Sequence, residues 1–238
     1  MLKYFMLGIS VTLIGAALAC SSINSSATTT APDAAPEGTP KPAVKLKPED
    51  MKGKQTAVFA GGCFWGVEAV FEHVKGVVDV KSGYSGGAAK TAKYDAVGSG
   101  ETGHAEAVEV VFDPAVVSYK DLLKVFFAVA HDPTELNRQG PDEGTQYRSA
   151  IFYANDEQKL AAKSYIDELT AAKTYSGPIV TQLTALEAFY PAEAYHQDYL
   201  VLHPNEAYIR INDIPKVKDL KTQFPDMYVE REGQYKVK

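Results

Sequence analysis

Cys63 is the residue in this chain best placed to do chemistry. Two glycines, Gly61 and Gly62, precede it, and an apolar run at helical spacing follows it: Phe64, Val67, Val70, Phe71 and Val74. The glycines let the backbone turn tightly and leave its amides accessible, so the thiol stands at the head of a helix. Unpaired amides and the helix dipole there favour thiolate over thiol. A nucleophile at neutral pH needs the thiolate, and the spacing therefore predicts an acidified, reactive Cys63, with an inert buried cysteine as the plain alternative. Phe64 and Trp65, the latter the only tryptophan in the chain, put aromatic faces beside the sulfur and suggest an apolar pocket. Phe64 also fits the buried stripe of the helix, whereas Trp65 does not, which favours Trp65 as pocket surface. His104 lies two residues before Glu106, so an extended segment would point both side chains to one face. The position suits His104 for ordering the local turn more than for moving a proton. The five histidines are scattered, without a metal-ligand spacing, and no metal site is expected.

The elements that must carry these residues follow from the hydropathy pattern. Ala57 to Ala60 reads as a short buried strand that runs into the glycines, and Gly76 is placed for a left-handed stop to the helix that follows. Val77 to Ser82 and Glu106 to Phe112 have strand character, the second by alternation of Val108, Val110 and Phe112, and Asp113-Pro114 ends it. Ser118 suits the N-cap of a helix carrying Leu122, Leu123, Phe126 and Val129. Tyr147 to Tyr153 reads as a strand, and Asn155 or Asp156 caps a helix to about Lys173. A strand over Ile179 to Leu186, a helix over Ala192 to Leu202 and a short helix after Pro215 complete the series. Strands and helices intermix throughout. The fold expected is an α/β (α+β) two-layer sandwich, a mixed sheet covered by helices in a single catalytic domain.

With 238 residues, 45% of them hydrophobic, the chain can bury one sizeable core, and a formal net charge of -6 provides no broad basic field for nucleic acid. The first twenty residues differ from the rest. Lys3 supplies a positive start, no charge follows from Tyr4 to Ala19, and the run ends in small residues. It is shorter than the roughly 20 apolar residues a bilayer span requires, so residues 1–20 are expected to be a signal peptide. Ala17-Leu18-Ala19-Cys20 resembles a bacterial lipoprotein cleavage site, with Cys20 as the acylated residue and Ser21 after it. Residues 21–52, rich in Ser, Thr, Ala and Pro, cannot build a core and read as a tether, leaving 53–238 as the folded domain. The localisation implied is the cell envelope, lipid-anchored and extracytoplasmic, on the periplasmic side of the outer membrane in a Gram-negative cell. Of the two cysteines, acylation of Cys20 would leave Cys63 alone, with no structural disulfide available.

The pentapeptide Gly62-Cys63-Phe64-Trp65-Gly66 resembles the active-site signature of A-type peptide methionine sulfoxide reductases. Gly83-Tyr84-Ser85-Gly86-Gly87, Thr102-Gly103-His104-Ala105-Glu106, His131-Asp132-Pro133 and Gly144-Thr145-Gln146-Tyr147-Arg148-Ser149 recur in that family in the same order and approximate spacing. Tyr195-His196-Gln197 through Tyr199 and Pro215-Lys216-Val217 extend the likeness over nearly the whole domain. The resemblance implies reduction of methionine-S-sulfoxide, free or in proteins, by attack of Cys63 on the sulfoxide sulfur. Glu106 matches the family's acid, which burial beside aromatic residues would keep protonated. Tyr94 and Tyr147 match the two tyrosines whose hydroxyls hold the sulfoxide oxygen, and Asp142 matches an acidic residue of the site, with Pro141 before it where Asn is more usual. Phe64 and Trp65, within the quoted pentapeptide, are the candidate substrate-binding residues, with Gly62, Gly66 and His104 as supporting ones. No cofactor is implied. Many members carry further cysteines toward the C-terminus to resolve the sulfenic acid. This chain has none after Cys63, so an external thiol, a thioredoxin-like protein or a small molecule, must restore the enzyme. Partners implied are oxidised proteins or free methionine sulfoxide, that reductant, and the membrane through Cys20, with the protein a monomer.

Two other classes share these residues. A Cys-His hydrolase or acyltransferase would pair Cys63 with His104 or His196 and form an acyl-enzyme. A non-catalytic lipoprotein could bind exposed methionine or other apolar side chains through Phe64 and Trp65.

Overall fold

The computed structural model describes residues 52–231 together with 233, 235 and 236; the expected signal peptide, Cys20 and nearly all of the tether lie outside the described residues. From the start of the domain the chain forms β1 (Gln55–Gly61), α1 (Phe64–Glu72), β2 (Val77–Ser85), α2 (Tyr94–Val97) and β3 (Ala105–Phe112). It continues through α3 (Tyr119–Val125), the short hairpin β4 (Arg138–Gln139) and β5 (Asp142–Glu143), β6 (Ser149–Tyr153) and α4 (Asp156–Ala171). β7 (Gln182–Ala185), β8 (Phe189–Pro191), α5 (Tyr199–Leu202) and α6 (Ile214–Gln223) complete it. Six strands form one sheet in the order β7-β6-β1-β3-β2-β8, antiparallel except for the β6–β7 pair. This is the expected mixed sheet with helices. No helix among the described residues is long and apolar enough to cross a membrane.

Alternation along the central strands sorts the two faces. Phe59, Val108, Val110 and Phe112 join Phe64, Phe71, Leu122 and Phe126 in the main core between sheet and helices. Val58, Ala60, Ala105 and Ala107 face the other way, into a small cluster of mostly short side chains under Leu186 and Phe189. Glu106 has the parity of Val108 and so points into the helical layer, at the N-terminal end of α1.

Local signals hold at the helix starts. Ser118 Oγ accepts the Asp121 N–H at 3.1 Å and Asn155 Oδ1 accepts the Gln158 N–H at 2.9 Å, each capping the helix that follows. Elsewhere tertiary contacts override the pattern. The helix expected over Ala192 to Leu202 is split into a single 3-10 turn, Ala194–His196, and the short α5. Gln197 leaves the helical path because its side-chain amide bonds both the N–H and the C=O of Ser82, each at 3.0 Å. Asp198 follows in the left-handed region at φ 55°, its N–H held by Glu68 at 3.1 Å. Tyr147 lies in a 3-10 turn ahead of β6 rather than in the strand, and β7 starts at Gln182 rather than Ile179. Gly76 has a left-handed φ of 92°, but α1 ends earlier, at Glu72.

Candidate active site

Cys63 is the N-cap of α1, with 8% of its surface exposed. The turn that delivers it needs glycine twice over. Gly62 has φ 89°, and a Cβ there would come 2.5 Å from the Gln139 side chain. Gln139 cannot easily yield, because its amide is tied to Asp132 N–H and C=O at 3.0 Å each. At Gly66 a Cβ would fall 2.2 Å from Asp213 Oδ1. Both flanking glycines of the pentapeptide are therefore required by close approach.

The head of α1 is shared between sulfur and carboxyl. The Trp65 N–H lies where it favours the charged form of Cys63, which makes no side-chain cap hydrogen bond, and the Phe64 N–H donates to Glu106 Oε2 at 3.1 Å. Glu106, 3% exposed in β3, is pushed up to about 8. Burial drives the rise against the Phe64 N–H, and the negative charge of Asp142 adds to it. It is a carboxylic acid at neutral pH.

Cys63 departs from the sequence expectation. The thiol is raised well above its ordinary value rather than acidified. Burial is the first cause, and the carboxyls of Glu106, Asp213 and Asp142 add repulsion that the Trp65 amide does not offset. The helix head offers partial charges, whereas Asp142 and Asp213, and Glu106 once it ionises, offer whole ones. Cys63 therefore rests as a neutral thiol.

Tyr94, at the first position of α2, and Tyr147 are both half-buried at this cluster. Their hydroxyls are held protonated, first by burial and then by the nearby Glu106 and Cys63. Neither hydroxyl has a hydrogen-bond partner among the described residues, so both can donate to an incoming oxygen. Asp142, on β5, accepts the Tyr208 hydroxyl; burial raises it, while Tyr208 and Lys216 pull it down.

Trp65 is not on open surface. Its indole stacks on Tyr199 with centroids 3.7 Å apart and planes 5° from parallel, meets Tyr208 edge-on at 6.0 Å, and donates from Nε1 to His196 Nδ1 at 3.2 Å. Phe64 is fully buried, 5.0 Å from the His196 ring and 5.9 Å from Tyr84. The two aromatics thus form walls continuous with the core. Sequence reasoning did not assign Tyr208 or Asp213, and neither lies in a motif quoted for the resemblance. His196 and Tyr199 did fall in one, the only signal that could have found them.

His104 makes no bond to the sulfur. It is 1% exposed, its Nε2 meets the Ala88 carbonyl at 3.1 Å, and its own carbonyl accepts Arg148 at 3.1 Å. That is a role in ordering the loop. Burial pushes His196 down to about 4, and because its Nδ1 accepts the indole N–H, the ring proton sits on Nε2. Neither histidine bonds the sulfur, which removes the pair a Cys-His hydrolase requires. No group of three or more His, Cys, Asp or Glu among the described residues could hold a metal ion.

The cluster thus combines a sulfur nucleophile, a carboxylic acid protonated at neutral pH and two free phenol donors. Such a set suits attack on a polarised centre bonded to oxygen, with protonation of that oxygen. The profile of the family described as peptide methionine sulfoxide reductase matches residues 55–228. Peptide methionine sulfoxide reductase MsrA 2 of Mesorhizobium japonicum is 59% identical over 179 residues, 75% of this chain and 92% of that protein. Its namesake from Synechocystis is 51% identical over 189 residues, 79% of this chain and 88% of the relative. Among solved structures, Mxr1 from Saccharomyces cerevisiae in reduced form is similar at TM-score 0.61 and 33% identity, covering 68% of this chain and 91% of that one. Methionine sulfoxide reductase A of Corynebacterium diphtheriae is similar at TM-score 0.57 and 37% identity, covering 65% and 77%. Fold, site chemistry and these matches agree that the chain belongs to the peptide methionine sulfoxide reductase family, among its A-type enzymes.

Proposed function

We propose that this protein reduces methionine-S-sulfoxide, free or within proteins, to methionine, with Cys63 as nucleophile and Glu106 as acid. The observation that carries this reading is the head of α1, where Cys63 is the N-cap and the Phe64 N–H holds the protonated Glu106 carboxyl beside it. The Cys63 sulfur attacks the sulfoxide sulfur while Glu106 gives its proton to the sulfoxide oxygen, steadied by the Tyr94 and Tyr147 hydroxyls. The proton lost by the thiol restores the Glu106 carboxyl. The hydroxyl then passes to the Cys63 sulfur as the methionine S–O bond and the newly formed S–S bond both break, leaving methionine, reduced by two electrons, and a cysteine sulfenic acid, oxidised by two. Phe64 and Trp65 wall the pocket for the thioether, and Asp142 with Tyr208 closes its side.

No cysteine follows Cys63 in the sequence, so an external thiol attacks the sulfenic acid, releases water and forms a mixed disulfide. A second thiol equivalent then frees Cys63. A thioredoxin-like protein or a small thiol fits that requirement. Ala17-Leu18-Ala19-Cys20 supports an acylated Cys20 as membrane anchor, with the tether presenting a monomeric domain to oxidised envelope proteins.

The test is turnover of the two epimers of a methionine sulfoxide peptide by wild type, Cys63→Ser and Glu106→Gln with dithiothreitol. Wild type should consume only the S epimer, Cys63→Ser neither, and Glu106→Gln should lose on the order of a hundredfold or more. Consumption of the R epimer, or activity surviving in Cys63→Ser, would overturn the proposal.

A further inference from the structure

Tyr94 stands on a short element with little local support. α2 is four residues long, and its N-cap, Lys93, makes no side-chain capping bond. Its leading amide is bound instead by a residue 99 positions away, Glu193, whose Oε1 accepts the Tyr94 N–H at 3.0 Å. The other oxygen, Oε2, accepts the Tyr84 hydroxyl at 2.8 Å. Tyr84 is fully buried in β2, directly opposite Glu106 in the β2–β3 register.

Glu193 is itself fixed on its C-terminal side. It is the N-cap of the Ala194–His196 turn, and the His196 ring lies 4.3 Å from the Tyr94 ring while accepting the Trp65 indole N–H. One carboxylate therefore joins the strand opposite the acid, the helix that bears Tyr94 and the turn that bears His196. Burial works against its ionisation, but the Tyr94 and Glu193 amides and the Tyr84 hydroxyl outweigh it and hold the carboxyl below its ordinary value. Hydrogen bonds to a charged acceptor are the strong kind, and their loss would leave the Tyr84 hydroxyl unpaired in the interior.

From this geometry we infer that Glu193 is a positioning residue of the reductase, setting the place of the Tyr94 hydroxyl relative to Glu106 by capping α2 from across the fold. The inference rests on the reading of Tyr94 as a holder of the sulfoxide oxygen. Glu193 touches no reacting atom, and its effect on the chemistry should pass through Tyr94.

The experiment is a double-mutant cycle of Glu193→Ala and Tyr94→Phe, with kcat and KM for an S-epimer peptide, read beside amide hydrogen exchange. Glu193→Ala should lower kcat about tenfold in the wild-type background, as a misplaced donor would. In the Tyr94→Phe background, where there is no hydroxyl to misplace, the same change should cost less than about twofold. Exchange should quicken in the segment around Tyr94–Val97 and stay unchanged in β3. Equal losses in both backgrounds, or unchanged exchange at α2, would overturn the inference. Should Glu193→Ala fail to fold, Glu193→Gln keeps one acceptor oxygen and should show the same non-additivity at smaller size. Exchange needs no turnover, so an inactive wild type would strike the reductase reading while the capping of α2 was still decided.

Discussion

Replacing Glu106 by glutamine should make the protein more stable and less active at once, and the size of the first effect can be worked out. In the folded protein the carboxyl is raised from 4.5 to about 8 by burial. Between those two values the folded state keeps a proton that the unfolded chain gives up. Stability therefore falls as pH rises through this window, the reverse of the usual salt-bridged carboxylate. At 1.36 kcal/mol for each pH unit from 4.5 to 7, holding Glu106 protonated costs about 3 kcal/mol at pH 7 and under about 1 kcal/mol at pH 5. A glutamine carries no such cost, and its Oε1 can still accept the Phe64 N–H. Urea unfolding of both proteins at pH 5, 6 and 7 should show Glu106→Gln gaining stability over wild type as pH rises. The ordering of activity should be opposite. A stability difference that stays flat from pH 5 to 7 would mean that Glu106 is not a buried neutral acid, and the proton source assigned to the reaction would be lost.

The same environment governs Cys63. With its thiol raised by burial and three acids, alkylation by iodoacetamide should be slow at pH 7 and keep accelerating past pH 9. Asp213→Asn should speed it at fixed pH, and half-maximal labelling at or below pH 7 would contradict the site's electrostatics. Tyr94→Phe and Tyr147→Phe should each leave the melting transition nearly unchanged and lower kcat about tenfold or more, because each hydroxyl has no partner to lose among the described residues. Steady-state kinetics beside thermal melts check this. Gly66→Ala should cost about 1 to 3 kcal/mol in urea unfolding, since the new methyl would overlap the Asp213 carboxyl. Part of that loss should return in the Asp213→Ala background.

Much of the site was legible because its signals are local. Gly61-Gly62 before an apolar helical run places a cysteine at a helix head whatever surrounds it. Ser118 and Asn155 cap their helices through their own next turn, and the alternation through Val108 and Val110 carries Glu106 to the helical face. These follow from backbone freedom, capping geometry and the period of side chains along one segment. The protonation of Cys63 belongs to another class. It depends on Asp142 and Asp213, which come from a hairpin and a helix far along the chain. Only tertiary structure brings them to the sulfur, because electrostatic energy depends on distance in space and on exclusion of water. The break at Gln197-Asp198 and the stacking of Trp65 on Tyr199 were decided in the same way. There, bonds to Ser82, Glu68 and His196 outweighed a helical propensity that is itself worth only tenths of a kcal/mol per residue.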